Sequence, residues 1–571
     1  MNQLLLFTLN SLKEINPLKN IKILHTNIRG DILAGITVAV IALPLALAFG
    51  EISQLGPEAG IWSAIIGGII GGLFGGCIVG VSGPTAPMAS QIAVFMGAFI
   101  IGGTNNPDLV AAFSIIFFSG LIMVGISLLR ISRFIHYVPY SVIAGFMCGI
   151  GVIIILSQIN PFVGLEAKRS IHEVLNNFGN TIQNINIEAL YVSIPSLVII
   201  IFWNSLEKKI KILANIPSPL VALVSGSSIA YFMNLDIAYI GQKMSTTGKD
   251  EFFSFYLPDL SRIFEFIGPA FSLAGLAILD SLLSCKVADN MTGTHHNSDR
   301  ETFGQGMANM AAGLFGGIST ATATTQTVGN ITFGARTPLS TIVKGLTLLF
   351  ILFGFGNLVA SIPNACLAAI LFKLGIDILD YRIMPILRKL PKIDLFIFIV
   401  VLFITVYKDL MIAVSIGVIF SILRSFKEIN LITKSSFQHK IIPFYDSDFI
   451  SIKNNVNKYI DLPVSVLQPQ GPLFFGSVQP LINTYSHAPH HEILVIDMSG
   501  ITMIDLSGSF TLEDLINNIK SKNIKVFISN VNDNIKYRLE KMDFFKHVGI
   551  NSNNSKSSIA SLVLQHYNKV N

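Results

Sequence analysis

The chain reads GLFGGCIVGVSGPTAPM over residues 72–88, and a related stretch, GLFGGISTATATTQT, occupies residues 313–327. Both stretches open on the same five residues, and position 72 matches position 313 at an offset of 241. A second match, residues 33–36 with residues 273–276, has an offset of 240. Glycine, proline, serine or threonine then break an apolar region in both stretches. Two matches at nearly one offset indicate a chain built from two repeated halves.

Apolar segments that approach the length of a bilayer crossing, about 20 residues of helix, recur between residues 31 and 426. The clearer ones are residues 31–49, 61–77, 109–129, 135–156, 187–204, 217–235, 266–285, 339–361, 394–407 and 410–423. Shorter, interrupted ones are residues 84–100, 305–318, 322–334 and 364–376. Together they predict an all-α polytopic membrane protein with fourteen transmembrane segments. Seven per half is odd, so the second half inserts upside down, as in many inverted-repeat secondary transporters.

The composition of the 571 residues supports a membrane protein, since 51% are hydrophobic and only 13% are charged. The net charge of +5 is small and comes from short basic clusters between apolar segments, which argues against a nucleic-acid partner. The four cysteines lie far apart without paired spacing, so neither disulfides nor a zinc site are expected. Residues 1–10 are apolar but have no basic start or small-residue cleavage signal, so no cleaved targeting peptide is expected.

Lysine and arginine mark the cytoplasmic side of short loops. With fourteen crossings and a cytoplasmic start, the inside loops hold basic clusters at residues 19–29, 130–133, 208–211, 382–392 and 424–427. Longer outside loops also contain a few basic residues. The bias predicts a multi-pass protein of the cell membrane with both termini in the cytoplasm. Residues 1–30 would be a cytoplasmic segment and residues 31–430 the transmembrane domain.

The tail, residues 440–571, changes to a soluble pattern of alternating strand and helix signals. Apolar runs at residues 493–498 and 524–528 are typical of buried strands, as is an extended stretch at residues 465–478. Helical patterns follow at residues 507–521, 533–548 and 557–567. The tail is therefore predicted to be a small α/β domain.

The paired breaks predict a binding site at the middle of the membrane. At the offset of 241, Ser82 corresponds to Ala323 and Gly83 to Thr324. A helix that starts inside the membrane presents unpaired N–H groups and a positive dipole end, which bind an anion without a fixed cation. The alternative is that these small residues only let helices pack closely. The predicted anion-binding residues are Thr85, Ala86, Ala323, Thr324 and Thr325.

Asp280 lies in the otherwise apolar segment 276–284. A carboxylate there costs about 2.5–3.5 kcal/mol on insertion scales, so it is expected to face a cavity and a partner. Ser284 lies one turn further along the same helix face. Together with backbone carbonyls of the second break, these oxygens predict a sodium site made by Asp280, Ser284, Thr320, Ala321 and Thr322. A proton-coupling carboxylate, or one hydrated at the helix end, are the alternatives.

Other polar residues are given plainer interpretations. The histidines at positions 295–296 and 487–491 lie in polar loops without a carboxylate or thiolate pattern, so they predict no metal site. Asp289, Asp299, Arg300 and Glu301 are interpreted as a solvated loop.

These residues together resemble the SulP family of anion transporters, which includes sulfate and chloride/bicarbonate exchangers. The resemblance runs from about residue 31 to 426, and the tail, about 441 to 567, resembles the family's STAS domain. It implies a seven-plus-seven inverted repeat, a core domain that moves against a gate domain, and commonly a homodimer.

Within that family, the motif at residues 280–292 is similar to that of cyanobacterial sodium-dependent bicarbonate transporters. The resemblance implies sodium binding by Asp280 and Ser284, although this chain has Ser where Thr is usual. Pro44-Leu45 also matches the bicarbonate type, since sulfate-type members more often have Pro-Gln there and Glu at position 280. Thr320 and Thr322 depart from the smaller residues, such as glycine, that the bicarbonate type has.

In the tail, residues 505–508 resemble the Asp-Ser-Ser-Gly turn of STAS domains, so Ser507 is a possible phosphorylation site. The alternative is a simple helix N-cap. A phosphorylated turn would imply a cytosolic regulator that binds the tail.

The expected function is sodium-dependent bicarbonate symport by alternating access, with Na⁺ as the coupling ion and no organic cofactor. The alternatives are a permease for sulfate or another oxyanion, with or without proton coupling, and a non-transporting membrane sensor or scaffold that acts through the tail. An enzyme is not expected, because no nucleophile–base pair or phosphate-cradling loop is present.

Overall fold

A computed structural model describes most of the chain. The described residues are 16–96, 108–132, 140–168, 171–207, 209, 217–244, 255–379, 387, 392–407, 416, 439–447, 462–473, 481, 484–485, 490–549, 552–553, 562–563 and 565. They divide into two compact units: those within residues 1–135, 146–380 and 402–413, and those within residues 136–145, 381–401 and 414–571.

The membrane part consists of helices and two very short strands. The elements up to residue 244 are α1 Leu18–Ile23, α2 Ile28–Ile52, α3 Pro57–Ile66, α4 Gly72–Phe74, β1 Ser82–Pro84, α5 Ala86–Met96, α6 Leu109–Leu128, α7 Tyr140–Phe162, α8 Ile171–Asn176, α9 Phe178–Gln183, α10 Ile187–Glu207, α11 Ser218–Phe232 and α12 Ile240–Met244. Those that follow are α13 Ile263–Thr292, α14 Ser298–Leu314, β2 Thr320–Thr322, α15 Thr324–Thr332, α16 Leu339–Ala360, α17 Asn364–Ile378 and α18 Lys392–Tyr407. A π-helical turn, Gly67–Gly71, joins α3 to α4.

Helices occupy nearly all of the predicted membrane segments that the structure describes. In the described part of the chain, six helical stretches are long and apolar enough to cross a bilayer: Lys19–Ile52, Pro57–Phe74, Leu109–Leu128, Ser141–Phe162, Ile263–Asp289 and Leu339–Gly356. The predicted segment 410–423 lies outside the described residues except for position 416. A mostly helical membrane domain is thus confirmed, whereas the number fourteen and the inverted repeat stay predictions.

Small residues allow a close helix crossing between α6 and α14. A Cβ atom at Gly120 would lie 2.5 Å from the Gly306 carbonyl oxygen, and one at Gly306 would lie 2.8 Å from the Gly120 carbonyl oxygen. Two backbones in lipid approach this closely only where no side chain separates them. The crossing fixes α14, which carries several of the polar side chains at the candidate site.

The Asp31 carboxylate joins the start of α2 to the start of α16. It accepts hydrogen bonds from Arg336 N at 2.8 Å, Thr337 N at 3.1 Å and Thr337 Oγ1 at 2.7 Å. The side chain is fully buried. These donors precede α16, so Asp31 satisfies backbone groups at a helix start that no intrahelical bond reaches. The contact ties together segments more than 300 positions apart.

Asp31→Ala is expected to lower the apparent stability of the detergent-solubilised protein by about 3 kcal/mol. The substitution leaves buried donors without an acceptor, and each costs about 1–3 kcal/mol. The apparent unfolding temperature measured by intrinsic fluorescence tests this expectation. Asp377→Ala is the matched control, since Asp377 is 56% exposed and pairs only with Lys373 on its own helix. An equal, small shift for both variants would contradict the role given to Asp31.

The tail forms the predicted α/β domain. Its strands are β3 Lys440–Pro443, β4 Val464–Gln468, β5 Gly471–Leu473, β6 Ile493–Asp497, β7 Ile501–Ile504, β8 Lys525–Ser529 and β9 Ser552–Asn553. Its helices are α19 Leu506–Ser521, α20 Asp533–Lys541 and α21 Phe544–Val548. One sheet has the order β3-β4-β6-β8-β9 and is parallel except for β3 against β4, while β5 and β7 form a separate parallel pair.

The predicted strands and helices of the tail agree with these bounds. The apolar runs at 493–498 and 524–528 are β6 and β8, and the pattern at 507–521 is α19. The pattern at 533–548 forms two helices, because Asp543 between them adopts a left-handed φ of 56°. Most of the predicted helix 557–567 lies outside the described residues.

Asp505, and not Ser507, caps α19. The Asp505 side chain accepts a hydrogen bond from Gly508 N at 2.7 Å. Ser507 is the second residue of the helix. The turn therefore has the N-cap geometry that was one interpretation of it, while phosphorylation of Ser507 stays a prediction.

Candidate functional site

The two sequence breaks meet as a pair of antiparallel strands. Ser82 is opposite Thr322, Gly83 is opposite Ala321, and Pro84 is opposite Thr320. One residue after each strand a helix begins, α5 after β1 and α15 after β2. A three-residue strand is about 10 Å long. Two helix N-termini, each with free N–H groups and a positive dipole end, therefore lie at the ends of one short strand pair.

The structure corrects the predicted equivalence of the two breaks. β1 begins at Ser82 and β2 at Thr320, an offset of 238 rather than 241. By position in the fold, Ser82 therefore corresponds to Thr320 and not to Ala323. The connection from the glycine-rich element to the strand is three residues shorter in the second half, so an offset taken from the glycine-rich residues does not hold beyond them.

One face of α14 holds the strand pair through buried polar side chains at four-residue spacing. Gln305 Nε2 lies within hydrogen-bonding distance of Ser82 Oγ at 2.5 Å, Thr322 Oγ1 at 2.8 Å and Glu301 Oε1 at 2.9 Å. One turn on, Asn309 Oδ1 accepts from Thr320 N at 2.8 Å, and Asn309 Nδ2 donates to the Thr320 carbonyl oxygen at 2.9 Å. The two breaks are thus joined to each other and to a third element.

Glu301 is the centre of this polar face, and the prediction of a solvated loop is wrong for it. The side chain lies in the first turn of α14, and the residue is 2% exposed. Its Oε2 accepts from Gly76 N and Cys77 N, both at 2.8 Å. Its Oε1 accepts from Thr322 Oγ1 and Gln305 Nε2. Four donors thus satisfy both oxygens of this buried carboxylate.

The neighbouring charged residues also lie in helices. Asp299 and Arg300 are buried in the first turn of α14. Asp289 lies in the last turn of α13, and its Oδ2 lies 2.7 Å from His296 Nδ1. The polar run was interpreted as a loop because it joins the end of one helix to the start of the next, where charged residues are common.

Asp280 and Ser284 lie on α13 against the second break. Ser284 Oγ and Thr324 Oγ1 are 2.6 Å apart, and Ser281 Oγ accepts from Thr322 N at 3.0 Å. Asp280 Oδ2 is buried and has no hydrogen-bond partner among the described residues. An unpaired buried carboxylate oxygen is costly unless a ligand or a proton compensates it. The position therefore has the character of a binding site.

Thr85 brings the first break to the same place. Its hydroxyl lies beside the Asp280 carboxylate. Within the part of the chain that the structure describes, Thr85 Oγ1 has no hydrogen-bond partner apart from that carboxylate. Two buried oxygens from opposite halves thus lie together, both with free coordinating capacity.

The remaining predicted residues divide into two groups. Ala86 and Ala323 are buried at the helix starts, whereas Thr324 and Thr325 are exposed. Thr320, Ala321 and Thr322 form β2, and the side chains of Thr320 and Thr322 contact α14. The Thr320 carbonyl oxygen already accepts from Asn309. The structure therefore brings Thr85 to Asp280 and Thr324 to Ser284, whereas the side chains of Thr320 and Thr322 contact α14.

Lys344 is a buried residue of this region that the sequence analysis missed. It lies in α16, is fully buried, and donates from Nζ to the carbonyl oxygens of Ser82 at 2.8 Å and Ala64 at 3.1 Å. The signal was a lone lysine within the apolar segment 339–361. The sequence analysis assessed that segment only by its hydropathy, so the lysine was overlooked.

No group of three or more His, Cys, Asp or Glu side chains is arranged to hold a metal ion in the described part of the chain. The oxygen atoms at Asp280, Thr85 and Ser284 are hydroxyl and carboxylate groups, which suit a hard cation rather than a transition metal.

Comparison with known proteins identifies the families that match the chain. The model of the sulfate permease family matches residues 28–401, and the model of the STAS domain matches residues 455–557. The bicarbonate transporter BicA of Picosynechococcus sp. is 34% identical over 92% of this chain and 93% of its own length. The putative sulfate transporter YvdB of Bacillus subtilis is 30% identical over 91% of this chain and 94% of its own.

A solved structure supports the same likeness. The transmembrane domain of a cyanobacterial bicarbonate transporter BicA superposes with a TM-score of 0.61 at 35% identity. The match covers 68% of this chain and 98% of that domain. These relatives are transporters, so the expectation that the chain is not an enzyme is confirmed.

Proposed function

The chain belongs to the sulfate permease family of membrane anion transporters, and on that premise we propose that it imports bicarbonate together with sodium by alternating access. The observation that carries this proposal is the buried, unpaired Oδ2 of Asp280 between two broken helices. Relatives named as bicarbonate transporters at 34% and 35% identity favour the same anion.

The cation in this proposal lies at Asp280. The Asp280 carboxylate and the hydroxyls of Thr85 and Ser284 supply oxygen ligands, and backbone carbonyls of Thr320, Ala321 and Thr322 are further candidates. An interior-negative potential of 100 mV opposes entry of each negative charge by about 2.3 kcal/mol. One co-transported Na⁺ cancels that opposition for a monovalent anion.

The anion in this proposal lies between the starts of α5 and α15. The free N–H groups at Ala86 and Thr324 would donate to its oxygens, with hydroxyls of Thr85, Thr324 and Thr325 as further donors. Anion and cation then occupy adjacent positions, so each raises the affinity of the other. This reciprocity is what couples the two fluxes.

Sulfate is the second candidate, because a putative sulfate transporter is 30% identical over nearly the whole chain. The threonines at positions 320 and 322, which depart from the bicarbonate type, do not favour sulfate over bicarbonate. Their hydroxyls contact Gln305 and Glu301, so they do not change the face that an anion would meet. Proton coupling through Asp280 would accompany this alternative.

The wider architecture belongs to the same proposal. It has fourteen crossings as a seven-plus-seven inverted repeat, both termini in the cytoplasm of a cell-membrane protein, and a homodimer as the assembled form. The STAS domain would receive a cytosolic regulator, with Ser507 as a candidate phosphorylation site.

Uptake into proteoliposomes tests the function. Labelled bicarbonate and, separately, labelled sulfate are supplied with and without an inward sodium gradient. The proposal predicts saturable bicarbonate uptake that needs sodium. Sulfate uptake that follows a pH gradient and ignores sodium would replace it with the second candidate.

Ser284→Ala is expected to raise the sodium half-saturation concentration of uptake about tenfold. The substitution removes one oxygen ligand and the contact with Thr324, and a hydrogen bond to a charged site is worth about 1.5–3 kcal/mol. Ser284→Thr keeps the hydroxyl and is expected to stay within about twofold of the wild type. Ser225→Ala, on α11, is the matched control because its hydroxyl bonds only to carbonyls of its own helix. Equal behaviour of the two alanine variants would remove Ser284 from the site.

A further inference from the structure

We propose that Lys344 is the fixed positive charge behind the anion site, a positioning residue that raises anion affinity and opposes sodium affinity. The inference rests on the proposed transport site and adds a residue to it. Lys344 reaches from α16 to the backbone of β1, where its Nζ donates to the Ser82 carbonyl oxygen at 2.8 Å. Its second acceptor, the Ala64 carbonyl oxygen, belongs to α3.

A buried ammonium in a membrane domain is expensive, so its place needs a reason. Lys344 is fully buried, and an ammonium has three donors for the two carbonyl oxygens it contacts. Mechanical cross-linking of α3 to β1 would need only a neutral donor. Lysine adds to such a cross-link an ammonium group, whose charge a neutral donor would lack.

The surroundings place that charge directly against the first break. A Cβ atom at Gly83 would lie 3.0 Å from Lys344 Nζ and 3.9 Å from Gln326 Oε1. Gln326 Oε1 is buried and, among the described residues, has no hydrogen-bond partner. Gln326 belongs to the first turn of α15. Lys344 Nζ and Gln326 Oε1 thus both lie next to Gly83, where a side chain would contact the ammonium group. Lys344 is therefore adjacent to both breaks.

A chain of hydrogen bonds through β1 links Glu301 to Lys344. Glu301 contacts Gln305, which contacts the Ser82 hydroxyl, while Lys344 contacts the Ser82 carbonyl oxygen. Asp280 is the negative charge that faces the proposed cation, which would neutralise it. The incoming anion then meets a region without net negative charge.

The expected size of the effect follows from the distance. Thr85 is two residues beyond Gly83, and strand residues advance about 3.3 Å each, so the ammonium lies about 10 Å from the start of α5. At that distance and an effective dielectric constant near 20, one unit charge changes the affinity of a monovalent ion about tenfold.

The test is the pair of half-saturation concentrations in proteoliposomes, each measured with the other ion saturating. Lys344→Met is expected to raise the anion constant about tenfold and to lower the sodium constant several-fold. Lys344→Gln, which keeps an N–H donor, is expected to shift both constants in the same directions. Lys344→Arg keeps the charge and is expected to retain wild-type constants within about threefold. Lys373→Met, on α17, is the matched control and is expected to change neither.

Opposite shifts of the two constants distinguish charge from structure. A purely structural lysine would raise both constants together or lower only the maximal rate, and either result overturns the inference. The unfolding temperature of each variant identifies any variant that is misfolded. If Lys344→Met is misfolded, the two half-saturation concentrations of Lys344→Gln decide between charge and structure. If wild-type protein imports another anion without sodium, the proposed coupling fails, but the anion constant still decides the role of Lys344. An unchanged anion constant in both neutral variants, Lys344→Met and Lys344→Gln, also overturns the inference.

Discussion

Asp280→Asn is expected to abolish the stimulation of uptake by sodium while the protein stays folded. The substitution keeps the size of the side chain and removes its charge. At the contact distance of a bound cation, about 4 Å, one charge at an effective dielectric constant near 20 is worth about 4 kcal/mol, so sodium affinity should fall by at least about 100-fold. Sodium-dependent uptake of labelled bicarbonate into proteoliposomes measures this loss.

Asp377→Asn is the control for this variant, because that carboxylate is 56% exposed and pairs with Lys373. Its sodium dependence should equal that of the wild type. If Asp280→Asn keeps an unchanged sodium half-saturation constant, Asp280 does not bind the cation. If uptake instead loses its response to a pH gradient, Asp280 carries a proton.

Glu301→Ala is expected to cause the largest loss of stability of any single change in the membrane domain. It leaves the N–H groups of Gly76 and Cys77, and the hydroxyl of Thr322, without their acceptor. At about 1–3 kcal/mol for each unsatisfied buried group, the loss amounts to about 4 kcal/mol or more. For a chain of this size that corresponds to a fall of about 3–5 °C in the apparent unfolding temperature.

Fluorescence-detected size-exclusion chromatography after heating measures that fall. Glu301→Gln keeps one carbonyl acceptor and should lose about half as much. Glu265→Ala is the control, since its side chain is 58% exposed and pairs with Arg262 at the start of α13. Similar melting of all three variants would show that the contacts of Glu301 do not hold the strand pair together.

The sequence was sufficient for the features that depend on local pattern. Asp280 and Ser284 are one helical turn apart, so their shared face followed from spacing alone. The pairing of the two breaks was predictable because each follows the same five residues, GLFGG. In the tail, apolar runs and helical periodicity predicted β6, β8 and α19 nearly to the residue.

Features that depend on distant partners were missed or misplaced. Glu301 accepts hydrogen bonds from residues 224 and 225 positions away, and Lys344 donates to a carbonyl oxygen 262 positions away. No local pattern contains such pairings. Even so, the spacing of Glu301, Gln305 and Asn309 at every fourth position was a signal for a polar helix face. The three-residue shift between the breaks arose from a shorter connection, which an offset cannot detect.

The uptake of labelled sodium tests the central claim most directly, because coupling requires each ion to drive the other. Proteoliposomes with purified protein are given labelled sodium with and without external bicarbonate, and Asp280→Asn protein is measured alongside. The account predicts that bicarbonate stimulates sodium uptake severalfold in the wild type and not in the variant. Sodium uptake that is the same with and without bicarbonate, in protein that still imports bicarbonate, would contradict it.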